Sequence, residues 1–139
     1  MKRKSKILRE TDGFTLVEMI VVIVIIGILL SVLVPGMTRY IDKAKDKQME
    51  VNARAVYLAY QTELSEEYAK AGVSDINTAK VQVDARFTAA YIREILGTAG
   101  DGTYRISGVT VSEEGSVLHF TYTEGSKSAV YNNGVWEIQ

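Results

Sequence analysis

Glu18 is the only charged residue in an apolar run at residues 14–34, where Thr15 and Ser31 are the only other polar residues. As a helix, these 21 residues would extend about 30 Å, the thickness of a bilayer's hydrocarbon core. A carboxylate in hydrocarbon costs roughly 2.5–3.5 kcal/mol even on lenient insertion scales, so it usually marks a function. Because Glu18 lies near the start of the run, the alternative is that it simply reaches the lipid headgroups.

The residues before the apolar run are basic. Five cations precede it: Lys2, Arg3, Lys4, Lys6 and Arg9. By the positive-inside rule they keep the N-terminus in the cytoplasm and direct the C-terminus outward. A secretory signal places small residues for cleavage after its apolar region, where Val34-Pro35-Gly36 makes a poor site. Here the small residue, Gly13, stands before the apolar region instead.

No set of residues in the sequence supports catalysis. The chain has one histidine, His119, and no cysteine, and no serine stands in a Gly-x-Ser-x-Gly motif. No partner is spaced to orient His119 as a base, and no cluster has metal-ligand spacing. We therefore expect no enzyme, no cofactor and no metal site. Acidic residues such as Asp101 keep a calcium site possible in the part of the chain after the apolar run, but their spacing does not indicate one.

The stretch Gly13-Phe14-Thr15-Leu16-Val17-Glu18 resembles the processing motif of type IV prepilins. That family comprises type IV pilins and the pseudopilins of type II secretion and competence systems, and the resemblance covers roughly residues 1–40. In the family, a membrane peptidase cuts on the cytoplasmic side after the glycine and methylates the new N-terminal amine. The resemblance implies cleavage between Gly13 and Phe14, N-methylation of Phe14, and Glu18 as the fifth residue of the mature chain.

The motif also has a physical sense of its own. Cutting before the apolar run retains that run and creates a positive amine at its tip. Glu18, about one helical turn further on, is then an unpaired negative charge in a low-dielectric medium. Pairing Glu18 with the amine of a neighbouring chain relieves both desolvated charges, which favours staggered, side-by-side packing of helices into a filament.

The resemblance implies a structural subunit of a cell-surface type IV pilus. Its expected partners are further copies of itself, the prepilin peptidase, an assembly platform with its ATPase, and the membrane that it spans once before assembly. Two alternatives stay open: a pseudopilin of a competence or type II secretion system, and a membrane-anchored adhesion or binding module that does not polymerise. Many Gram-negative pilins have a C-terminal disulfide loop, so the absence of cysteine favours a Gram-positive source or a pseudopilin.

The helical pattern continues beyond the membrane segment. We expect one spine helix from Phe14 to about Ala71, ended by Gly72, whose second half needs a partner surface. Gly27 and Pro35 weaken this helix. They predict either an ordinary kink at the membrane exit or, as the resemblance implies, a helix break that loosens in the filament. The expected inner stripe consists of Met37, Ile41, Ala44, Val51, Ala55 and Leu58, widened by Met49, Ala53, Val56, Tyr60 and Leu64.

The remaining chain predicts a short second helix and an antiparallel meander. Residues 73–83 are predicted as a surface loop, and Asp84 as the N-cap of a helix that ends at Leu96 before Gly97. From Thr103 the apolar period becomes two, which predicts three or four strands with one face covering the spine helix. The fold class is therefore α+β. A bulge and three turns are expected at Gly108, 113–115, 124–126 and 132–134.

These patterns divide the chain into three segments. Residues 1–13 form the leader, 14–35 the membrane-spanning half of the spine, and 36–139 a head that includes the amphipathic half. The full chain has a net charge of −1, and removal of the basic leader brings it to −4. Residues 71–139 contain five basic and eight acidic side chains, so we expect the head to bind no nucleic acid.

Overall fold

The computed structural model describes residues 13–70, 73, 75–98 and 102–139. The fold is α+β, as predicted, and its contacts divide the chain into two units at residues 1–41 and 42–139. The predicted helix end at 71–72 and the candidate calcium ligand Asp101 lie outside the described residues. The elements are α1 (Leu16–Tyr68), α2 (Ile76–Arg86), α3 (Ala89–Leu96), β1 (Tyr104–Val111), β2 (Val117–Glu124), β3 (Lys127–Asn132) and β4 (Val135–Ile138).

The first unit contains the apolar half of α1. This helix is long and apolar enough to cross a membrane, with a mean hydropathy of 3.1 in its most apolar window. It continues through Gly27 and Pro35 without interruption. The proline has no N–H to donate to the carbonyl of Ser31, while the Ser31 hydroxyl donates to the carbonyl of Ile28 at 2.7 Å. A helix break at Gly27 and Pro35 therefore stays a prediction for the assembled state.

In the second unit, the sheet covers one side of the amphipathic half of α1, as predicted. Fully buried residues of the helix, such as Tyr60 and Leu64, meet Phe120 and Tyr122 of β2 in one core. The Tyr57 ring closes the side of this core. It packs edge-on against Phe120 at 5.8 Å and Trp136 at 5.7 Å between ring centroids, and at a tilt against Tyr131 at 4.6 Å.

The single inner stripe predicted for the helix is wrong. The five residues Met49, Ala53, Val56, Tyr60 and Leu64 are buried, whereas Met37, Ile41, Ala44, Val51 and Leu58 are exposed. Within residues 42–68 the two sets lie on different sides of the helix, and the sheet covers only one of them. The apolar pattern in this half of α1 is therefore two faces and not one wide stripe.

The predicted loop at 73–83 is also wrong, because α2 occupies most of it. Asp75 is the N-cap of α2, and its carboxylate accepts a hydrogen bond from the Thr78 amide at 2.9 Å. Asp84, predicted as an N-cap, lies inside α2 and accepts a hydrogen bond from the buried Tyr60 hydroxyl at 2.6 Å. Helix α3 starts from Thr88 instead. It ends at Gly97 as predicted, in the left-handed conformation that favours glycine.

The four strands form an antiparallel meander in the order β1-β2-β3-β4. The last hairpin turns at Asn133 and Gly134, both with positive φ, as an Asn-Gly pair predicts. The predicted bulge is confirmed as well, since the β1–β2 register shifts between Ser107 and Thr110 around Gly108. These turns bring the sheet's inner face onto α1.

Candidate processing and assembly site

The N-terminus of α1 holds Glu18 in a reciprocal capping arrangement. Thr15 precedes the helix, and its hydroxyl accepts a hydrogen bond from the Glu18 amide at 3.2 Å. The Glu18 carboxylate in turn accepts one from the Thr15 amide at 3.4 Å. This is the capping box that a Thr-x-x-Glu sequence predicts at a helix start. The Thr-x-x-Glu spacing is visible in the sequence, but the predictions for Glu18 were an intermolecular partner or contact with the lipid headgroups, and not a helix cap.

Gly13 and Phe14 lie just outside this cap, before the first helical residue. A Cβ added to Gly13 would meet nothing within 4 Å, and its φ is outside the left-handed range. The described part of the chain therefore gives no packing or conformational reason for glycine at this position. Phe14 is 77% exposed, so the bond between the two residues is open to an enzyme.

Glu18 stands alone among exposed apolar side chains. The large apolar residues of the 14–34 run are all exposed in the described structure, and this part of the helix has no burial in the chain itself. A surface of this kind is stable only in lipid or against other apolar surfaces. The acid thus lies about one helical turn from Phe14, on a helical segment whose apolar side chains have no cover within the described chain.

Gly27 and Pro35 lie further along the same helix and outside this site. A Cβ on Gly27 would also meet nothing within 4 Å. The structure does not bring these two residues together with Gly13, Phe14 and Glu18, because Glu18, Gly27 and Pro35 follow one another along α1 and the other two precede the helix. Any role for Gly27 and Pro35 depends on a change in the helix itself.

The described part of the head offers no arrangement for catalysis. His119 shares a strand face with Thr121, and the Nε2 and Oγ1 atoms lie 3.4 Å apart. No group of His, Cys, Asp or Glu among the described residues could hold a metal ion. The polar contacts of the head instead join its elements, such as the ion pair between Lys127 and Asp46.

A cluster of charged groups connects α1 to α2 and α3. The Glu67 side chain is 4% exposed, accepts a hydrogen bond from Lys70 at 2.7 Å and pairs with Arg86. Hydrogen bonds from Lys70 and Arg86 lower the pKa of Glu67 below its ordinary value. Glu63 accepts a hydrogen bond from the Tyr91 hydroxyl of α3, and this bond raises the pKa of Tyr91. The cluster stabilises the head rather than forming a binding site.

Comparison with known proteins agrees with this picture of the N-terminus. Residues 9–34 match the family described as the prokaryotic N-terminal methylation motif. The chain carries the N-terminal methylation motif of type IV pilins at residues 9–34. The match includes Gly13, Phe14 and Glu18 and ends just before Pro35.

Two curated relatives extend the comparison. The chain is 33% identical over 64 residues to the type IV major pilin protein PilA of Myxococcus xanthus, which covers 46% of this chain and 29% of that protein. It is 46% identical over 51 residues to the type IV narrow pilus major component PilA5 of Thermus thermophilus, which covers 37% of this chain and 44% of that protein. The chain thus spans less than half the length of both relatives. No solved structure matches it.

The names of both relatives describe structural components of pili rather than enzymes. This agrees with the expectation that the chain is no enzyme. The α+β fold, with its long apolar N-terminal helix and antiparallel sheet, is pilin-like, as the resemblance implies.

Proposed function

We propose that this chain is a pilin that polymerises into a cell-surface type IV pilus after removal of residues 1–13. The observation that carries the proposal is Glu18, the one charged residue of the exposed helical segment that ends at Val34 and lies within the matched motif. The names of the two relatives support the same role. On this proposal, 14–35 is the membrane and filament-core segment and 36–139 is the head.

The capping box gives Glu18 a partner before processing. In the uncut chain its carboxylate is partly satisfied by the Thr15 amide. Cleavage after Gly13 creates a positive amine at Phe14, and an ion pair with an amine is a stronger contact for a carboxylate than a 3.4 Å bond to a neutral amide. Pairing with the amine of a second copy then places the two chains side by side with an axial offset. An offset contact of this heterologous kind extends into a helical filament.

The proposal also assigns processing and assembly to opposite sides of the membrane. The basic leader holds the uncut N-terminus in the cytoplasm, and the head lies outside. The peptidase cuts on the cytoplasmic side. The assembly platform and its ATPase then move processed subunits out of the bilayer. The apolar segment then exchanges lipid for the helices of other copies, and the helix loosens at Gly27 and Pro35. A filament structure with unbroken α1 across these two residues would contradict the last step.

Mass spectrometry of the protein from its native envelope tests the processing. We expect a chain that begins with N-methylated Phe14. Gly13→Leu should leave the full-length leader in place, because we expect the peptidase to recognise this glycine. The fold itself should tolerate the leucine, since a Cβ at Gly13 meets nothing within 4 Å. Gly36→Leu is the matched control, since a Cβ at Gly36 also meets nothing within 4 Å, and it should be processed normally.

An intact leader on the wild-type protein, or a cut after Pro35, would contradict the assignment. Normal processing of Gly13→Leu would show that the peptidase does not recognise this glycine.

A further inference from the structure

A cavity of about 380 Å³ lies between α1 and the turn that joins β2 to β3, within the second unit of the fold. Lys45, Gln48 and Met49 line it from the helix, and residues 124–127 line it from the turn. Met49 is buried in the core of the head, whereas Lys45 and Ser126 are exposed. The cavity therefore combines buried apolar surface with polar groups that face solvent.

The Glu124 carboxylate is held in this cavity by two neutral donors. The Tyr122 hydroxyl donates to it at 2.8 Å and the Asn52 side-chain amide at 2.9 Å, and both bonds go to the same oxygen, Oε2. Both donors are buried. No cation of the described chain lies within ion-pair distance of Glu124, and its Oε1 atom accepts no hydrogen bond there. A half-buried carboxylate of this kind gains stability from a positive ligand.

Lys45 supplies a charge of the opposite sign. Lys127, which also lines the cavity, pairs with Asp46 and is neutralised within the head. Lys45 makes no ion pair or hydrogen bond with any described residue, and the Ser126 hydroxyl also has no partner among them. The cavity thus presents one ammonium, one hydroxyl and one carboxylate oxygen that the described chain does not use.

The sequence places this cavity close to the membrane surface. Between Glu18 and Arg39 stand twenty uncharged residues, which as a helix extend about 30 Å, the thickness of the hydrocarbon core. Lys45 follows Arg39 by six residues, or about 9 Å of helix. The headgroup layer adds roughly 5–8 Å on each side of the core, and a lysine side chain can extend back towards it. With 14–35 in the bilayer, as proposed above, Lys45 reaches the headgroups of the outer leaflet.

We propose that the cavity binds the headgroup of an ethanolamine phospholipid. The phosphate lies against the Lys45 ammonium and the Ser126 hydroxyl, and the primary ammonium of the lipid donates to Glu124 Oε1. Both contacts are charge-assisted hydrogen bonds, and the glycerol backbone covers Met49. The proposal rests on the membrane segment of the proposed function, and not on polymerisation.

Two other headgroups serve as matched ligands for this site. Phosphatidylcholine carries the same two charges but has no N–H to donate to Glu124. Phosphatidylglycerol carries the phosphate without a cation, so it offers nothing to this carboxylate. Recognition by Lys45 alone would not separate the three lipids, whereas recognition by both groups selects phosphatidylethanolamine.

Native mass spectrometry of the full chain in detergent tests the selection. The protein is titrated with the three phospholipids, all with the same acyl chains, and the lipid-bound fraction is measured. We expect phosphatidylethanolamine to be retained at least about fivefold more than phosphatidylcholine, the effect of one additional hydrogen bond. Soluble glycerophosphoethanolamine, which has the same headgroup without acyl chains, should be retained far less.

Substitutions at the cavity locate the binding. Lys45→Gln and Ser126→Ala should each lower the retention of phosphatidylethanolamine, and neither breaks a contact within the described head. Glu124→Gln should remove the preference over phosphatidylcholine and leave phosphatidylglycerol unaffected. Lys43→Gln is the matched control, because Lys43 is an exposed cation of the same helix that does not line the cavity.

Equal retention of phosphatidylethanolamine and phosphatidylcholine, or equal loss in Lys45→Gln and Lys43→Gln, would overturn the inference. Retention of glycerophosphoethanolamine as strong as that of the lipid would assign the cavity to a soluble phosphate ester and overturn the membrane ligand. Any of these results, for a chain that still makes Glu18-dependent filaments, would leave the proposed function standing. Selective lipid retention by a chain that makes no filaments would do the reverse.

Discussion

Glu67 shows how single charged side chains stabilise the head. Its carboxylate is nearly inaccessible to solvent and lies between Lys70, just after the end of α1, and Arg86 of α2. Both cations favour its ionised form, so its pKa is lower in the folded chain than in the unfolded chain. The contribution to stability is complete above the unfolded pKa and is lost as pH falls through the lowered folded value.

We therefore expect acid to destabilise the wild type more than Glu67→Gln, which carries no titrating group there. The amide variant should be less stable at pH 7 and should lose less stability between pH 5 and 3. Thermal unfolding of the full chain in detergent across this range measures the difference. Glu66→Gln is the control, because Glu66 is exposed on the same helix. Parallel pH curves for Glu67→Gln and the wild type would contradict the assignment.

The residues that could be predicted from sequence are those whose role depends on local pattern. The motif that contains Gly13, Phe14 and Glu18 is recognised from six residues and lies within the matched segment at 9–34, while the roles of these three residues stay predictions. Asp84 could not be placed, because an aspartate suits a helix cap and an interior ion pair equally well. Its hydrogen bond to the buried Tyr60 decides between them, and that contact joins residues 24 positions apart.

Between elements, Gln61 connects α1 to the turn from β1 to β2. Its side-chain amide donates to the carbonyl of Gly115 at 2.7 Å, and its oxygen accepts from the amide of Val117 at 2.8 Å. It therefore satisfies two backbone groups that the strand ladder leaves unpaired at the turn. The side chain fixes where the sheet meets the helix.

Gln61→Leu should lower the free energy of unfolding by about 1–3 kcal/mol, the usual cost of leaving backbone groups without a partner. Chemical denaturation of the full chain in detergent measures this change. Gln48→Leu serves as the control, because the Gln48 side chain bonds only to its own helix neighbour. Equal stability for the two variants would mean that water replaces the Gln61 contacts.

Elements with glycine turns could be predicted from sequence, whereas α2 could not. The hairpin at Asn133 and Gly134 and the bulge at Gly108 follow from backbone conformations that glycine favours. Helix α2 buries only Ile76, Ala79 and Val83, and its other residues are largely polar. So few apolar positions give a weak helical period, and α2 forms because the core binds those three side chains. The two apolar faces of α1 could not be separated from sequence either, because the position of the sheet decides which of them is buried.

For the molecule as a whole, two apolar surfaces remain uncovered by the described chain. One is the apolar segment at 14–34, and the other is the side of the amphipathic half of α1 that the sheet does not cover, which includes Val51 and Leu58. On the proposed function, lipid covers the first surface before assembly, and copies of the same chain cover it in a filament. On the same proposal, one acid within the first surface makes this exchange specific, because Glu18 finds a charged partner only on a processed neighbour.

The most direct test of this account is the amount of filament made by Glu18→Ala. The variant should insert into the membrane normally, since a charge has been removed from the apolar segment. Sheared surface filaments, quantified against membrane-bound subunit, should fall at least tenfold relative to the wild type and to the exposed-acid control Glu66→Ala. Filaments at wild-type abundance in Glu18→Ala would contradict the pairing of Glu18 with a neighbour's amine and would favour a membrane anchor that does not polymerise through this acid.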